Sequence, residues 1–231
     1  MKTYVVGDIH GAYRALEQVV ERAPIHPEED RLIVLGDVSD GWSQTREAVS
    51  LLLTFPGVIL LAGNHDEWTA RWMESGEVQP IHAVQGGQAT VASYREGIPA
   101  EHLSFFQKAK PYFLDEKNRL YLHAGFEPDI PLEQQQLSVF TWDRSLFMAA
   151  ALHREQFHIR EYDRVFIGHT PTLRYDSSAR PLIWGNLINL DQGAGWDGKL
   201  TLMDADSLEY WQSDWVTDLY PDEPGRLGSR R

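Results

Sequence analysis

Short apolar runs alternate with amphipathic stretches over the first 61 residues, and this alternation predicts a parallel sheet. The runs that indicate buried strands are Tyr4–Val6, Arg31–Leu35 and Gly57–Leu61. Between them, residues 12–22 and 44–54 place apolar side chains on one face at helical spacing, with Ser43 positioned to cap the second helix. A strand–helix–strand order favours parallel pairing with right-handed crossovers.

The pattern changes downstream of these elements. Residues 67–110 are helix-like and broken by glycine and proline, so we predict a helical insertion beside the first sheet. A hairpin over residues 111–122 and a mostly helical segment over residues 138–157 follow. The remaining predicted strands are Arg164–Ile167, Ile183–Trp184, Leu187–Leu190, Leu200–Met203 and Leu208–Trp211. The last four predict a second, mostly antiparallel sheet. We expect one domain over residues 1–220 and a loose tail over residues 221–231.

Carboxylate, amide and imidazole side chains follow five of the predicted strands, at the point where each strand ends. They are Asp8 and His10, Asp37 and Asp40, Asn64 and His65, His123, and His169. Sites in such sheets collect outside the carboxyl ends of the strands, so we expect these side chains to converge. Oxygen and imidazole donors without thiolates suit manganese, iron or zinc better than magnesium or calcium. The number of donors favours two metal ions, which can activate a water and clamp the oxygens of a displacement at phosphorus.

Composition narrows the possible partners and compartment. The chain has 231 residues, no cysteine and a formal charge of −13. An acidic surface repels long polyanions, so we expect no long nucleic acid partner, while a phosphorylated protein or a small phosphoester remains open. We predict a cytoplasmic protein without a secretion signal or membrane span. The histidines outside the strand ends are expected on the surface; they are His26, His82, His102, His153 and His158.

The strand ends also carry five motifs in a fixed order. They are GDIHG at Gly7–Gly11, LGDVSDG at Leu35–Gly41, GNHD at Gly63–Asp66, HAGFEP at His123–Pro128 and GHTP at Gly168–Pro171. This series resembles the signature of the calcineurin-like metallophosphoesterases. The order and spacing most resemble the compact bacterial and phage serine/threonine phosphoprotein phosphatases and their relatives, the symmetrical diadenosine tetraphosphate hydrolases. The resemblance implies a four-layer α/β/β/α fold, in which a β-sandwich is flanked by helices and the site lies at the strand carboxyl ends.

The resemblance also implies a role for each matching residue. The metal ligands would be Asp8, His10 and Asp37 at one ion, and Asp37, Asn64, His123 and His169 at the other. The cofactor would be two divalent ions, with manganese first and iron or zinc as alternatives. His65 would be the general acid that protonates the leaving oxygen, and Asp40 would orient its ring. Arg144 would grip the phosphate, because a planar guanidinium can bind two oxygens at once.

Two positions depart from the family pattern. The second motif usually continues Asp-Arg-Gly, but this chain has Gly41 and Trp42 there, so one phosphate-holding Arg is missing. The site would therefore bind the substrate phosphate more weakly, or Arg144, Trp42 or an Arg of the insertion such as Arg71 would supply the missing contact. An open pocket beside Trp42 would admit a nucleotide-bearing ester that stacks on the indole. In addition, Asp66 stands where the phosphoprotein phosphatases usually carry Glu.

The sequence therefore predicts a binuclear metal-dependent phosphoesterase. We expect hydrolysis of phosphomonoesters by metal-bound hydroxide, in the manner of a serine/threonine protein phosphatase. The alternative substrates are a symmetrically cleaved dinucleoside tetraphosphate or another phosphodiester. A metal-binding module without turnover is a third reading of the missing Arg, and the retained His65 and Asp40 argue against it. The substrate, the native metal and the oligomeric state stay open at this stage.

Overall fold

Two five-stranded sheets form the centre of the protein in the computed structural model, which describes residues 1–226. In chain order the strands are β1 (Thr3–Val6), β2 (Arg31–Val34), β3 (Ile59–Leu60), β4 (Tyr112–Leu114), β5 (Arg119–Leu122), β6 (Arg164–Ile167), β7 (Leu182–Trp184), β8 (Leu187–Asn189), β9 (Thr201–Asp204) and β10 (Tyr210–Gln212). The first sheet has the order β10-β9-β1-β2-β3, and the second has the order β4-β5-β6-β8-β7.

Helices cover the outer faces of the two sheets. In chain order they are α1 (Tyr13–Arg22), α2 (Thr45–Leu52), α3 (Asn64–Ser75), α4 (Pro80–His82), α5 (Gln88–Ser93), α6 (Ala100–Gln107), α7 (Leu137–Trp142), α8 (Ser145–His153) and α9 (Val216–Leu219). Between α4 and α5, the chain kinks within Ala83–Gly87, where Gly86 has a non-helical φ of 104°. Within residues 1–226, no helix combines the length and the apolar character that a membrane crossing requires.

Side chains on the two faces of each strand enter different layers of the core. Val5 and Ile33 face the second sheet, where they pack in one cluster with Tyr121 and Phe166. Tyr4, their neighbour in β1, points the other way, into the cluster beneath α1 and α2. Successive side chains of a strand alternate between faces, and both faces are covered here, which explains the uninterrupted apolar runs. The four-layer α/β/β/α architecture expected from the sequence is confirmed.

The assignment of the last strands to one antiparallel sheet was wrong. β9 and β10 belong to the first sheet, where β9 pairs antiparallel with β1. The second sheet is mixed, because β5, β6 and β8 pair in parallel while β4 and β7 add antiparallel edges. An alternating pattern identifies a strand but not the strand that pairs with it. In the structure, β9 pairs with the edge of β1 that β2 leaves open.

Two predicted helices have different boundaries in the structure. The segment 138–157 breaks at Asp143, where the backbone is extended (φ −67°, ψ 133°). The Asp143 carboxylate accepts hydrogen bonds from the backbone nitrogen (3.1 Å) and hydroxyl (2.7 Å) of Ser145, and α8 begins there. Ser43 does not cap α2, which begins at Thr45, because its hydroxyl donates to Glu223 at 2.8 Å instead.

The described part of the predicted tail packs on the domain. Glu223 accepts two hydrogen bonds from Ser43, through its backbone nitrogen at 3.0 Å and its hydroxyl at 2.8 Å. The backbone nitrogen of Arg226 donates to the carbonyl of Gly195 at 3.1 Å. These contacts hold residues 221–226 against the loop that follows β2 and the loop between β8 and β9, whereas residues 227–231 lie outside the described residues.

Candidate metal centre

The loops after the strands turn sharply and aim their side chains into one pocket. His10, Asp37, Asp40 and His169 all have positive φ, at 52°, 49°, 70° and 64°. Non-glycine residues rarely adopt this conformation, and such strain concentrates at functional sites. The same loops are joined by backbone hydrogen bonds, since the nitrogens of Ile9 and His10 both donate to the carbonyl of Asp37.

One group of donor atoms consists of His10, Asp37 and His65, whose candidate atoms lie within 4.8 Å of one another. The Nδ1 atom of His10 lies 3.0 Å from the carbonyl of Ser39 and 2.8 Å from that of Asp40. It must therefore carry the proton, so Nε2, which lies 3.7 Å from Asp37 Oδ2, carries the lone pair. A backbone carbonyl on one ring nitrogen is the usual way in which a protein presents the other nitrogen to a metal.

A second group consists of Asp37, His123 and His169. The Nδ1 atom of His123 donates a hydrogen bond to the carbonyl of Leu35 at 2.7 Å. The lone pair that could bind a metal is therefore on Nε2. This Nε2 lies 3.1 Å from His169 Nδ1, 3.4 Å from Asp37 Oδ2 and 3.3 Å from Asn64 Oδ1. Asp37 thus belongs to both groups, which is the position a bridging carboxylate requires.

Asp8 lies beside these groups rather than within either of them. Both of its carboxylate oxygens accept from the backbone nitrogen of His169, at 3.0 and 3.2 Å. Position 168 must be glycine, because a Cβ there would come within 2.1 Å of Asp8 Oδ1. The side chain of Asn189 donates to the carbonyl of Thr170 at 3.0 Å and holds the same loop. Asp8 is therefore coupled directly to the loop that carries His169.

Buried carboxylates repel one another in this pocket. Burial, followed by repulsion from Asp191, raises the pKa of Asp8 well above its usual range. Burial and the Asp37 charge raise the pKa of Asp66 to about 8, and burial raises that of Asp191 to about 6. His169 Nε2 is buried without a hydrogen-bond partner among residues 1–226. Cations would stabilise such a set of carboxylates and lone pairs, so the donors fit two divalent metal ions.

The His65 ring is held by a buried carboxylate. Its Nδ1 lies 2.8 Å from Asp40 Oδ2, and the other oxygen of Asp40 accepts from Nε2 of His82 at 2.9 Å and from Thr90 at 2.8 Å. Asp40 and His82 are fully buried. Because Nδ1 donates to Asp40, the Nε2 atom of His65 faces the pocket, 4.0 Å from Asp37 Oδ2. A general acid would need this orientation.

The prediction that the unmatched histidines lie on the surface was wrong for two of them. His82 contributes to the Asp40 network described above, and His102 is buried with its Nδ1 2.9 Å from the Tyr94 hydroxyl. Both come from the helical insertion, whose apolar packing encloses them. His26, His153 and His158 are exposed, as expected.

A cavity of about 210 Å³ opens over the two donor groups. Its lining residues are Asp37, Asn64, His65, Trp68, Ile81, Gln85, Trp142, Arg144, His169 and Arg226. The Trp68 and Trp142 rings lie 5.6 Å apart at its mouth, and Trp142 is 43% exposed. Arg144, the residue for which phosphate binding was expected, lies at this wall at the start of α8. Arg226 was not predicted, because it belongs to no motif and lies in the segment expected to be loose.

Of the three side chains considered as substitutes for the missing Arg, Arg144 lines the cavity, whereas Trp42 and Arg71 do not. Trp42 is 1% exposed, donates from its indole nitrogen to Ala194 at 2.7 Å and stacks on Tyr220 at 4.9 Å. Arg71 is exposed on α3 and pairs with Glu67 at 3.4 Å. The expected stacking of a substrate on Trp42 is therefore wrong, because that indole is part of the core.

The chain belongs to the calcineurin-like phosphoesterase family, whose sequence pattern matches residues 1–173. It is accordingly a phosphoesterase of the hydrolase class, and the family resemblance of its five motifs is confirmed. Among curated relatives, the chain is similar to the bis(5'-nucleosyl)-tetraphosphatase PrpE [asymmetrical] of Bacillus cereus strain B4264. The two are 25% identical over 230 residues, which cover 87% of this chain and 89% of that protein.

Solved structures share the fold at lower identity. A structure provisionally assigned as a diadenosine tetraphosphatase superposes with a TM-score of 0.69 at 19% identity, covering 93% of this chain and 94% of that one. A cold-active protein tyrosine phosphatase superposes with a TM-score of 0.61 at 18% identity, covering 90% of this chain and 75% of that one. These likenesses establish the common architecture.

Proposed function

We propose that this phosphoesterase cleaves dinucleoside polyphosphates. The observation that carries the proposal is the composition of the cavity wall. Two indoles, Trp68 and Trp142, offer planar apolar faces on which a nucleobase can stack, and Arg144 lies beside them for a phosphate chain. The relatives named as dinucleoside tetraphosphatases, which match nearly the whole chain, support the same substrate class.

The metal ligands in this proposal are the residues predicted from the strand ends. Asp8, His10 and Asp37 would hold one ion, and the second would be held by Asp37, Asn64, His123 and His169. Two such ions supply an activated water and neutralise charge on the phosphoryl oxygens. Manganese is proposed as the ion that supports activity, since imidazole and carboxylate donors without thiolates suit it.

The remaining chemistry is assigned to side chains of this chain. His65 would protonate the leaving oxygen from Nε2, with Asp40 holding the ring through Nδ1 at 2.8 Å. Arg144 would grip a phosphate with two parallel hydrogen bonds. For a leaving nucleotide, the leaving group is itself a phosphate oxygen of low pKa, so the acid would contribute less there than with an alkyl ester.

A substrate panel on manganese-loaded protein tests the proposal. We expect diadenosine tetraphosphate to be hydrolysed with a kcat/KM at least about tenfold above that of a phosphothreonine peptide, because stacking is worth about 1–3 kcal/mol. Anion-exchange chromatography separates ATP plus AMP from two ADP, and so distinguishes asymmetrical from symmetrical cleavage. A preference for the phosphopeptide would reject the proposal in favour of the serine/threonine protein phosphatase predicted from the sequence.

A matched pair of tryptophan variants tests the stacking wall. Trp142→Ala should raise KM for diadenosine tetraphosphate about tenfold and leave KM for p-nitrophenyl phosphate within about twofold. Trp215→Ala is the control, because Trp215 is 37% exposed and contacts Lys199 away from the cavity. Equal effects of the two variants on the dinucleotide would contradict a stacking role for Trp142.

A further inference from the structure

The space beside Gly41 is already filled by another part of the chain. A Cβ built on Gly41 would lie 3.1 Å from Cγ of Arg226 and 3.0 Å from the carbonyl of His10. Gly41 also has a φ of 145°, which side chains rarely adopt. The aliphatic part of Arg226 therefore runs where a side chain at position 41 would begin, and its guanidinium reaches the cavity.

We propose that Arg226 supplies the second phosphate-binding guanidinium of the site, in place of the Arg that is missing at Gly41. This rests on the proposed function only in so far as the substrate carries a phosphoryl group. Arg226 would be a substrate-binding residue, in the same cavity wall as Arg144.

The hydrogen bonds of the guanidinium show why it would turn toward a phosphate. Nη2 donates to the Gln85 side chain at 2.9 Å, and Nη1 lies 3.2 Å from Nε2 of His10. His10 Nε2 has one lone pair, because its Nδ1 carries the proton. A metal would compete with Nη1 for that lone pair, and a phosphate in the cavity that Arg226 lines would offer Nη1 oxygen acceptors. Arginine suits this role because its donors lie in a fixed plane.

The segment around Arg226 is built to hold it in place. The guanidinium stacks over the Trp196 ring at 4.5 Å, and Glu223 is fixed to Ser43 by two hydrogen bonds. Gly225 lies on the buried face of Trp42, where a Cβ would come within 2.6 Å of the indole. The Gly41-Trp42 departure therefore has a joint explanation: glycine leaves room for the Arg226 stem, and Trp42 forms the surface on which the segment rests.

Inorganic phosphate binding to manganese-loaded protein tests the inference without turnover. Calorimetry should show a Kd about ten- to a hundredfold weaker for Arg226→Gln than for the unsubstituted protein, since a charge-assisted hydrogen bond is worth about 1.5–3 kcal/mol. Arg226→Lys should lose less, because it keeps the charge but not the planar donors. Arg95→Gln, on an exposed residue of the insertion, is the matched control and should bind phosphate normally.

Metal content separates substrate binding from a structural role. Arg226→Gln should retain about two manganese ions per chain, with a raised KM for p-nitrophenyl phosphate and a smaller change in kcat. An unchanged phosphate Kd in Arg226→Gln, or a weaker Kd accompanied by loss of metal in both Arg226 variants, would overturn the inference. Neither measurement uses a dinucleotide, so the inference can hold when diadenosine tetraphosphate is not a substrate, and it can fail when it is one.

Discussion

At the scale of single residues, the Asp40 carboxylate accepts hydrogen bonds from three side chains, those of His65, His82 and Thr90. Burial by itself would raise the pKa of Asp40, but the hydrogen bonds from His65 and His82 outweigh it and hold the pKa below its usual value. The carboxylate consequently stays charged and fixes the tautomer of His65. Asp40 of the second motif thus contacts His65 of the third motif, and His82 of the insertion contacts the other oxygen of Asp40.

The role of His65 is tested by its dependence on the leaving group. His65→Asn should lower kcat on an alkyl phosphate by roughly two to four powers of ten, the usual contribution of a positioned acid, while metal content stays normal. The loss should be smaller for p-nitrophenyl phosphate, because nitrophenolate leaves without protonation. Steady-state kinetics on the two esters measures this, and equal losses on both would remove His65 from the acid role.

His82 should matter through its hydrogen bond rather than through its volume. His82→Phe keeps an aromatic ring but removes the Nε2 donor to Asp40, so we expect kcat to fall about tenfold or more, as for a hydrogen bond to a charged group. His82→Gln, which can still donate, should retain more activity. The measurement is kcat for both variants together with metal content. If the Phe and Gln variants lose the same activity, the hydrogen bond is not what His82 contributes.

At the scale of elements, the hairpin of β4 and β5 is tied by a buried ion pair. Arg119 Nε donates to Asp115 Oδ2 at 2.6 Å, and the Tyr121 hydroxyl donates to the same oxygen at 3.0 Å. Burial would raise the pKa of Asp115, but the hydrogen bonds from Arg119 and Tyr121 hold it below the usual value. Without the Asp115 charge, the buried Arg119 guanidinium would keep only Asp206, which Nη1 contacts at 2.8 Å, as a carboxylate partner.

Asp115→Asn should therefore lower the free energy of unfolding by about 2–4 kcal/mol at pH 7. The folded-state pKa is depressed, so the stabilisation is fully present above the unfolded pKa of about 4 and is lost as the pH falls through the folded value. Urea unfolding at pH 7 and pH 3 measures this, and the difference between the two proteins should shrink at pH 3. Asp129→Asn, on an exposed residue, serves as the control; a pH-independent difference for Asp115→Asn would contradict the charge argument.

The elements that the sequence predicted well are those whose signal is local. The strand ends with their motifs follow from glycine-punctuated apolar runs, and parallel order in the first sheet follows from the alternating helices. The partners of β9 and the break at Asp143 depend on contacts between distant segments or on one backbone torsion. For the same reason His82 and Arg226 could not be found, because each reaches the site only through the fold of the insertion or of residues 221–226.

At the scale of the whole molecule, metal binding should contribute to folding. Several buried carboxylates converge in the pocket, and the chain as a whole has a net charge of −13. Without cations, the repulsion between these carboxylates and their loss of hydration destabilise the folded state. Metal that binds only the folded state stabilises it by mass action. The site and the stability of the two sheets that carry it are therefore coupled.

Metal analysis and thermal unfolding test this coupling. We expect about two transition-metal ions per chain, and removal with a chelator should lower Tm by several degrees, since ligand at about a hundred times Kd contributes about 2.7 kcal/mol. Asp37→Asn should reduce binding at both ions, because this carboxylate belongs to both donor groups. A stoichiometry of one ion in the unsubstituted protein would contradict the binuclear centre.

The pairing of β1 with β9 has a consequence for synthesis on the ribosome. Val5 lies opposite Met203, so one edge of the first strand stays unpaired until nearly all of the domain has been translated. The same holds for the second sheet, because one edge of β6 stays unpaired until β8 has been translated. A fragment ending at residue 173 would contain every family motif and yet expose two central strand edges, which are templates for aggregation. We therefore expect fragments that end before β8 and β9 to aggregate on expression, and expression trials should keep the strands that follow the last motif.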